Sequence, residues 1–459
     1  MKIEYEPSVK YSNNAFLKGL DNSTHQIFNS KLFLGTPVLF RRYIKKLYIE
    51  EKKYILYGSF VKIMIKIILR KIRNYTKERL FLFIDFCAIK KYKNIRSNTL
   101  LLVRLDAIGN YVLFRNFIEV LNKSNKYKDY KITLCGNITW KDLAENYDKN
   151  FIDNFIWVDR RKFTRNPIYR FRILRFISQY GFEIAIQPTY SRGFFYGDAV
   201  IRASGAKERI GSECDLSNIT NWQKMISDKY YTILVPTTEE SIFEFFRDKE
   251  FFEYILEEKI KLNRPNFKIN REAVKISIYN PYTVIFPGAG DKFRRWQSDK
   301  FAEVADYIYQ EYRGNIVIAG SKSDRILAED IKKKTENANI INLSGKITLT
   351  QLVNLIKNAK MLISNDTCAV HIAAAVGTKT VSISTGFHFG RFDPYPKEIF
   401  NKIIYVYPDV IQKRIYDYKY LVEKYRYSLP LSTIDTIPVY KIKKSIDNLI
   451  AYKNEKCKK

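Results

Sequence analysis

Two periods alternate along most of the chain. Short apolar runs, which suit strands buried on both faces, are separated by stretches where apolar residues return every three or four positions, the spacing of one helix face. TLLLVRL, beginning at Thr99, opens the series, and after DAIGN comes the amphipathic YVLFRNFIEVLNK. KITLCG, NFIWVD and FEIAIQP predict further strands, with RNPIYRFRILRFISQYG among the intervening helices. A second series starts at YTVIFPGAG and the helix SDKFAEVADYIYQEY. It continues through NIVIAGS, DRILAEDIKKK, NIINLSG, TLTQLVNLIKNA, KMLISND and TCAVHIAAAVG to TKTVSIST. Such strand–helix alternation predicts an α/β protein with two parallel, doubly wound sheets, and ligands would bind in a crevice at the strand carboxyl ends.

The expected boundaries follow from these series. Residues 1–98 form a basic, partly amphipathic helical extension. Residues 99–278 are a first Rossmann-like domain whose last part, from about 212, is irregular and rich in charged and aromatic residues. Residues 279–405 are a second such domain. Residues 406–459 are a tyrosine-rich tail ending in a helix that is expected to pack back on the first domain. A chain of 459 residues is long enough for two or three domains.

Composition changes this picture through charge. The chain holds 79 Lys+Arg against 48 Asp+Glu, a net charge of +31. The bland source is compositional drift toward Lys, Ile, Asn and Tyr; the functional one is attraction to polyanions. Within residues 41–80, Lys62, Lys66, Arg70, Arg73 and Lys77 fall on one helical stripe, with Phe60, Ile63, Ile67, Ile68 and Ile72 over the rest. Such a helix suits an anionic membrane surface, or a solvated basic face on its own domain. The charge is concentrated there rather than beside a nucleic-acid module, so no nucleic-acid partner is expected. Five scattered cysteines and three histidines argue for a reducing compartment and against a zinc site. No apolar run is long enough to span a bilayer, and the first residues do not read as a secretory signal. The expected location is the cytoplasm, peripheral on the inner face of the cytoplasmic membrane.

The chemistry concentrates in the second series. In FPGAG, Gly288 and Gly290 follow a strand, where backbone N–H groups can approach a phosphate closely, and Lys292, Arg294 and Arg295 come next. In ISNDTCAVHIAAAVG, Asp366 and Thr367 sit where a strand turns into a helix, a place for an anion or for a plain N-cap. His371 lies one turn further along the same face.

In this order, RLDAIGN, FPGAG with RRW, NLSGKITL, LIKNAK, ISNDT and HIAAA resemble glycosyltransferase family 9, the heptosyltransferases and related enzymes of bacterial surface polysaccharide assembly. The resemblance covers roughly residues 98–395. GFHFGRFDPYP resembles a variant found in relatives whose sugar donors are less certain. The resemblance implies a GT-B fold, two Rossmann-like domains facing across a crevice, the first binding an acceptor and the second a nucleotide-diphosphate sugar. It places Asp366, Thr367 and His371, with Gly288 and Gly290, at the diphosphate, and Arg294 as the cation that offsets leaving-group charge. It implies inversion, no metal and no cofactor beyond the donor substrate, and no D-x-D pair is found. The acceptor would be a glycan or glycolipid, commonly phosphorylated, met by Arg160, Arg161, Arg192 and Asp198.

Two positions depart from the pattern. The family's second Asp in D-x-I-G-D, taken as the general base, is Asn110 here, and an amide cannot accept a proton usefully. The residue after N-D-T, commonly Gly, is Cys368. Three explanations stand for Asn110. Another carboxylate, Asp106 or Asp198, acts as base; or the chain is a silent relative that binds a sugar nucleotide or glycan as a scaffold; or the Asn is an introduced change. The reading carried forward is a lipopolysaccharide-type glycosyltransferase.

Overall fold

The computed structural model describes residues 75–89, 94–238, 242–268, 278, 281–425 and 434–456. The chain divides into two units, 1–78 and 79–459. Of the first, residues 75–78 are described and are helical. The basic stripe over 41–80 therefore lies almost wholly outside the described residues.

In the second unit, helical residues 79–88 (α1) precede β1 (Thr99–Arg104), α2 (Ile108–Phe114), α3 (Asn116–Lys123), β2 (Lys131–Asn137) and α4 (Lys141–Tyr147). Next come β3 (Asn154–Val158), α5 (Pro167–Tyr180), β4 (Ile184–Gln187), α6 (Gly197–Ser204), β5 (Glu208–Ser212), α7 (Asn221–Ser227), β6 (Ile233–Val235) and α8 (Glu244–Leu256). The second half runs β7 (Tyr282–Phe286), α9 (Ser298–Tyr312), β8 (Asn315–Ile318), α10 (Arg325–Lys334), β9 (Ile340–Asn342) and α11 (Leu349–Asn358). It closes with β10 (Met361–Asn365), α12 (Cys368–Val376), β11 (Thr380–Ile383), β12 (Ile403–Val406) and α13 (Val439–Lys456).

Each half is a six-stranded parallel sheet, in the orders β3-β2-β1-β4-β5-β6 and β12-β11-β10-β7-β8-β9. Read within each half, both follow the same doubly wound order, and the direction of winding reverses between β1 and β4 and between β7 and β10. Those two points lie after Arg104 and Gln187 in the first half and after Phe286 and Asn365 in the second. The central strands are buried throughout, which explains their unbroken apolar runs.

The core shows how the halves meet. Leu100 and Leu102 point into a cluster that also takes Tyr111, Phe117, Phe245 and Phe252 from the first half and Val284, Leu352, Val370 and Ala373 from the second. Leu101 and Val103, alternating with them, point to the other face, under Leu174, Ile177 and Val200. One side of the first sheet thus shares its core with the second domain, while the α5–α6 side does not.

The structure corrects three of the sequence-based expectations. Phe81, Asp85 and Ala88 of α1 are buried, and Asp85 makes a two-pronged ion pair of 2.6 and 2.7 Å with the fully buried Arg170 of α5. The first domain therefore begins before residue 99. The middle from 212 is structured: it contributes β6 at the sheet edge and α8, which packs on α2 and α3. The terminal helix α13 packs on α9, β11 and β12 of the second domain, not on the first. Ile442, Ile446 and Leu449 enter the core with Ile285 and Phe301. The Trp296 indole N–H donates to the Ile437 carbonyl at 3.0 Å, which fixes the approach to that helix.

Candidate active site

On the first domain the site begins where β1 ends. Arg104 is wholly buried, and its guanidinium donates to Asp248 Oδ1 at 2.8 Å and lies 2.9 Å from Asp106 Oδ2 and 3.7 Å from Glu244 Oε1. Burial opposes its charge, but the three carboxylates outweigh it and hold its pKa above the ordinary value. Asp106 Oδ2 also accepts from the Thr189 hydroxyl at 3.1 Å, and its main-chain carbonyl accepts from Trp140 Nε1 and Asn137 Nδ2. Its Oδ1 takes no hydrogen bond among the described residues. Asn110, on the first turn of α2, is half-buried, and its side chain likewise makes no bond among them.

Across from it, the β7–α9 and β10–α12 turns lock together. Asn365 donates to the Pro287 carbonyl at 2.6 Å and accepts from the Trp296 N–H at 3.3 Å. Arg295 folds back to donate twice to the Ala289 carbonyl. Arg294 donates to the Asp366 main-chain oxygen and, at 3.0 Å, to Asp366 Oδ2, while its buried Nε has no partner among the described residues. His388 Nδ1 lies 3.2 Å from the same Asp366 oxygen. Burial would raise the Asp366 carboxyl, but Arg294 and then His388 and His371 hold it far below the usual range. A carboxylate thus stands between Arg294 and His388, in the place an anionic ligand would take.

The other expected donor residues divide. The space beside Gly288 is filled by Asp324, whose Oδ2 would lie 2.4 Å from an added Cβ, so this glycine makes room for a carboxylate that caps its own turn through Ser321. Gly290 faces open space. Thr367 caps α12, its hydroxyl accepting from the Ala369 N–H at 3.3 Å. His371 does not present a charge. It is buried against Tyr395, 2.8 Å from Nδ1, and burial pulls its pKa down to about 4, so the ring is neutral. A Cβ on Gly109 would approach its Cδ2 to 2.7 Å and the Cys368 Cα to 3.7 Å. The first turns of α2 and α12 therefore touch, so the turn that carries Asn110 lies against the one that follows Asp366. The Cys368 thiol is pushed up to about 11 by burial and stays protonated.

The acceptor set is split more sharply. Arg160 and Arg161 lie on a single turn, Arg160–Phe163, at the carboxyl end of β3; Arg161 is exposed and Arg160 lies over the Tyr196 ring. Arg192 and Asp198 are fully buried: Arg192 meets Asp228, Cys214 and the Tyr231 ring, and Asp198 accepts from the Tyr231 hydroxyl at 2.6 Å. They brace the first domain and cannot meet an acceptor; nor can Asp198 serve as a base at the crevice. Among the described residues no group of His, Cys, Asp and Glu is arranged to hold a metal ion.

Sequence reading missed the contacts that join the halves. Arg391, in the GFHFGRFDPYP loop of the second domain, reaches Glu244 of α8 at 2.6 Å and 3.2 Å and the Ser191 hydroxyl at 2.5 Å, while its carbonyl accepts from the Glu244 N–H. Glu244 and Asp248, one turn apart in an aromatic helix, were the available signal.

A family model described as glycosyltransferase family 9 (heptosyltransferase) matches residues 170–409. The chain belongs to glycosyltransferase family 9. Over 117 residues it is 33% identical to lipopolysaccharide heptosyltransferase 3 of Escherichia coli K12, covering 25% of this chain and 34% of that protein. Over 193 residues it is 25% identical to lipooligosaccharide heptosyltransferase 2 of Campylobacter jejuni serotype O:6, covering 39% and 60%. The chain spans about a third of the length of the first curated relatives it matches. Among solved structures it is similar to a family 9 glycosyltransferase of Veillonella parvula, with a TM-score of 0.59 at 16% identity over 80% of this chain and 99% of that one. E. coli ADP-heptose lps heptosyltransferase II gives 0.53 at 15% over 78% and 99%. The family 9 chain has their GT-B fold.

Proposed function

We propose that this family 9 chain is a metal-independent, inverting glycosyltransferase. It moves a sugar, of the heptose class named in its relatives, from a nucleoside-diphosphate donor to a lipid-linked bacterial surface glycan of the lipopolysaccharide type. It works at the cytoplasmic face of the membrane. The observation that carries the reading is Arg294, whose buried Nε has no partner among the described residues, beside Asp366 and the N-terminus of α12. In the reaction the acceptor oxygen bonds to the anomeric carbon as the bond to the diphosphate breaks with its electron pair. Arg294, His388 and the positive end of the α12 dipole meet the charge that develops on the leaving group. The open Oδ1 of Asp106 takes the acceptor proton, its other oxygen being fixed by Thr189 and Arg104, and Asn110 orients the hydroxyl.

Melting temperature against ADP-, UDP-, GDP- and CDP-linked sugars, with the free nucleotides alongside, tests the donor half: one nucleotide class should give a saturable rise. Arg294→Ala should lower kcat by about 10²–10³-fold, with Arg294→Lys recovering part. Asp106→Asn should lower it by roughly 10²–10⁴-fold while donor binding persists. An Asp106→Asn protein at full rate would assign the base elsewhere. Asn110 favours one second reading, a sugar-nucleotide-binding scaffold, which requires a nucleotide-induced shift without turnover by the unaltered chain.

A further inference from the structure

The side of the first sheet that faces away from the second domain carries an unusual surface. The buried stripe of α1 is Phe81, Asp85 and Ala88, and its opposite stripe is apolar as well: Leu80, Phe83 and Phe86 are exposed, the two rings at 65% and 64%. The same holds for α5, where Leu174 and Ile177 are buried while Ile168, Phe171 and Phe176 are exposed. The Asp85–Arg170 ion pair ties the two helices together, and the Phe81 ring packs on Phe195. Leu82 joins Phe194 and Ile219 beside α7, where Trp222 and Met225 are exposed too. A helix in water normally exposes its polar face, so paired helices with apolar residues on both faces mark an interaction surface.

Charge says what it fits. Arg79 and Arg172 are exposed among these rings, and Arg161, Lys162 and Arg165 lie just before α5. α5 contains no carboxylate; in α1 the only one is Asp85, buried in its ion pair, with Glu78 in the helical turn just before it. Two copies of such a face would bring like charges together, which disfavours self-association. A bilayer with anionic headgroups offers the complement: phosphates for the guanidinium groups, and an interfacial zone for the aromatic rings.

We propose that α1 and α5 form a docking surface for an anionic lipid bilayer. The proposal deepens the functional reading above, from which it takes the lipid-linked acceptor. The Arg160–Phe163 turn directly precedes α5, so docking brings the acceptor side of the crevice to the membrane.

The test is co-sedimentation of the full chain with phosphatidylglycerol/phosphatidylcholine vesicles and with phosphatidylcholine alone, at low and high salt. Two variants are compared: one carrying Phe83→Ser, Phe86→Ser, Phe171→Ser and Phe176→Ser, the other Arg165→Gln and Arg172→Gln. The first should bind anionic vesicles at least tenfold more weakly; the second should lose affinity for anionic vesicles only. Both should keep the nucleotide-induced shift in melting temperature, which shows that they are folded. Three results would overturn the proposal: no vesicle binding by the unaltered chain, unchanged binding by both variants, which would move attachment to other residues such as 41–74, or a stable dimer that the serine variant makes monomeric. Loss of the nucleotide shift in the unaltered chain would instead sink the donor reading and leave the vesicle result standing.

Discussion

His371 lies between Tyr395 and Gly109, and its burial has a measurable consequence. An unfolded histidine titrates near 6.5, whereas this one stays neutral down to about 4. Between those values the unfolded chain takes up a proton that the native protein refuses. Its contribution to stability is therefore complete above about pH 6.5 and is lost as pH falls toward 4, by roughly 3 kcal/mol. Asp393 works in the opposite sense. Burial, then the charge of Asp366, pushes its carboxyl up to about 8, so its effect is to lower stability as pH rises from the ordinary carboxylate range to 8. A raw pH profile mixes the two. The difference between the unaltered chain and His371→Gln, measured by urea unfolding from pH 4 to 7, should isolate a slope approaching one proton below pH 6.5. A flat difference would mean that the imidazole is hydrated in solution.

At the level of elements, what could be read from the chain depended on how local the chemistry is. The N-D-T and R-R-W segments each follow a single strand, so spacing offered Arg294 and Asp366 as candidates for an anion site, and only the resemblance to family 9 gave them roles. Arg192 and Asp198 carried the same kinds of charge after a strand, but the fold turns them inward onto Tyr231, which no local spacing records. Arg391 and Glu244 are 147 positions apart, and only the folding of the loop onto α8 makes them a pair. Glu244 is buried, yet Arg391, Arg104 and Arg247 hold its pKa below the ordinary value in spite of that burial. Removing one partner of such a pair leaves an uncompensated buried charge. Arg391→Met should cost about 3–5 kcal/mol in urea unfolding, and adding Glu244→Met should restore much of it. If the single change costs less than about 1 kcal/mol, the loop does not hold the halves together.

Across the whole molecule, the two sheets repeat one strand order, and the switch points of both converge where α2 meets α12. That architecture was legible from alternating periods because parallel strands buried on both faces carry an unmistakable apolar run. The position of α13 was not. A helix after a tyrosine-rich tail can cover either domain, and the choice rests on the fit of Ile442, Ile446 and Leu449 beneath α9.

That position bears on how the protein is made. The first domain, from α1 to α8, is one continuous stretch, and a nascent chain can pair its six strands and fill the α5–α6 side of its core while the rest is still being synthesised. The second cannot close in the same way. Every donor-side motif has been translated by residue 395, but the core beneath Trp296 waits for α13 to emerge. A chain terminated after residue 436 should retain each signature of its family and still yield a second half that proteases digest, while the first half survives as a resistant fragment.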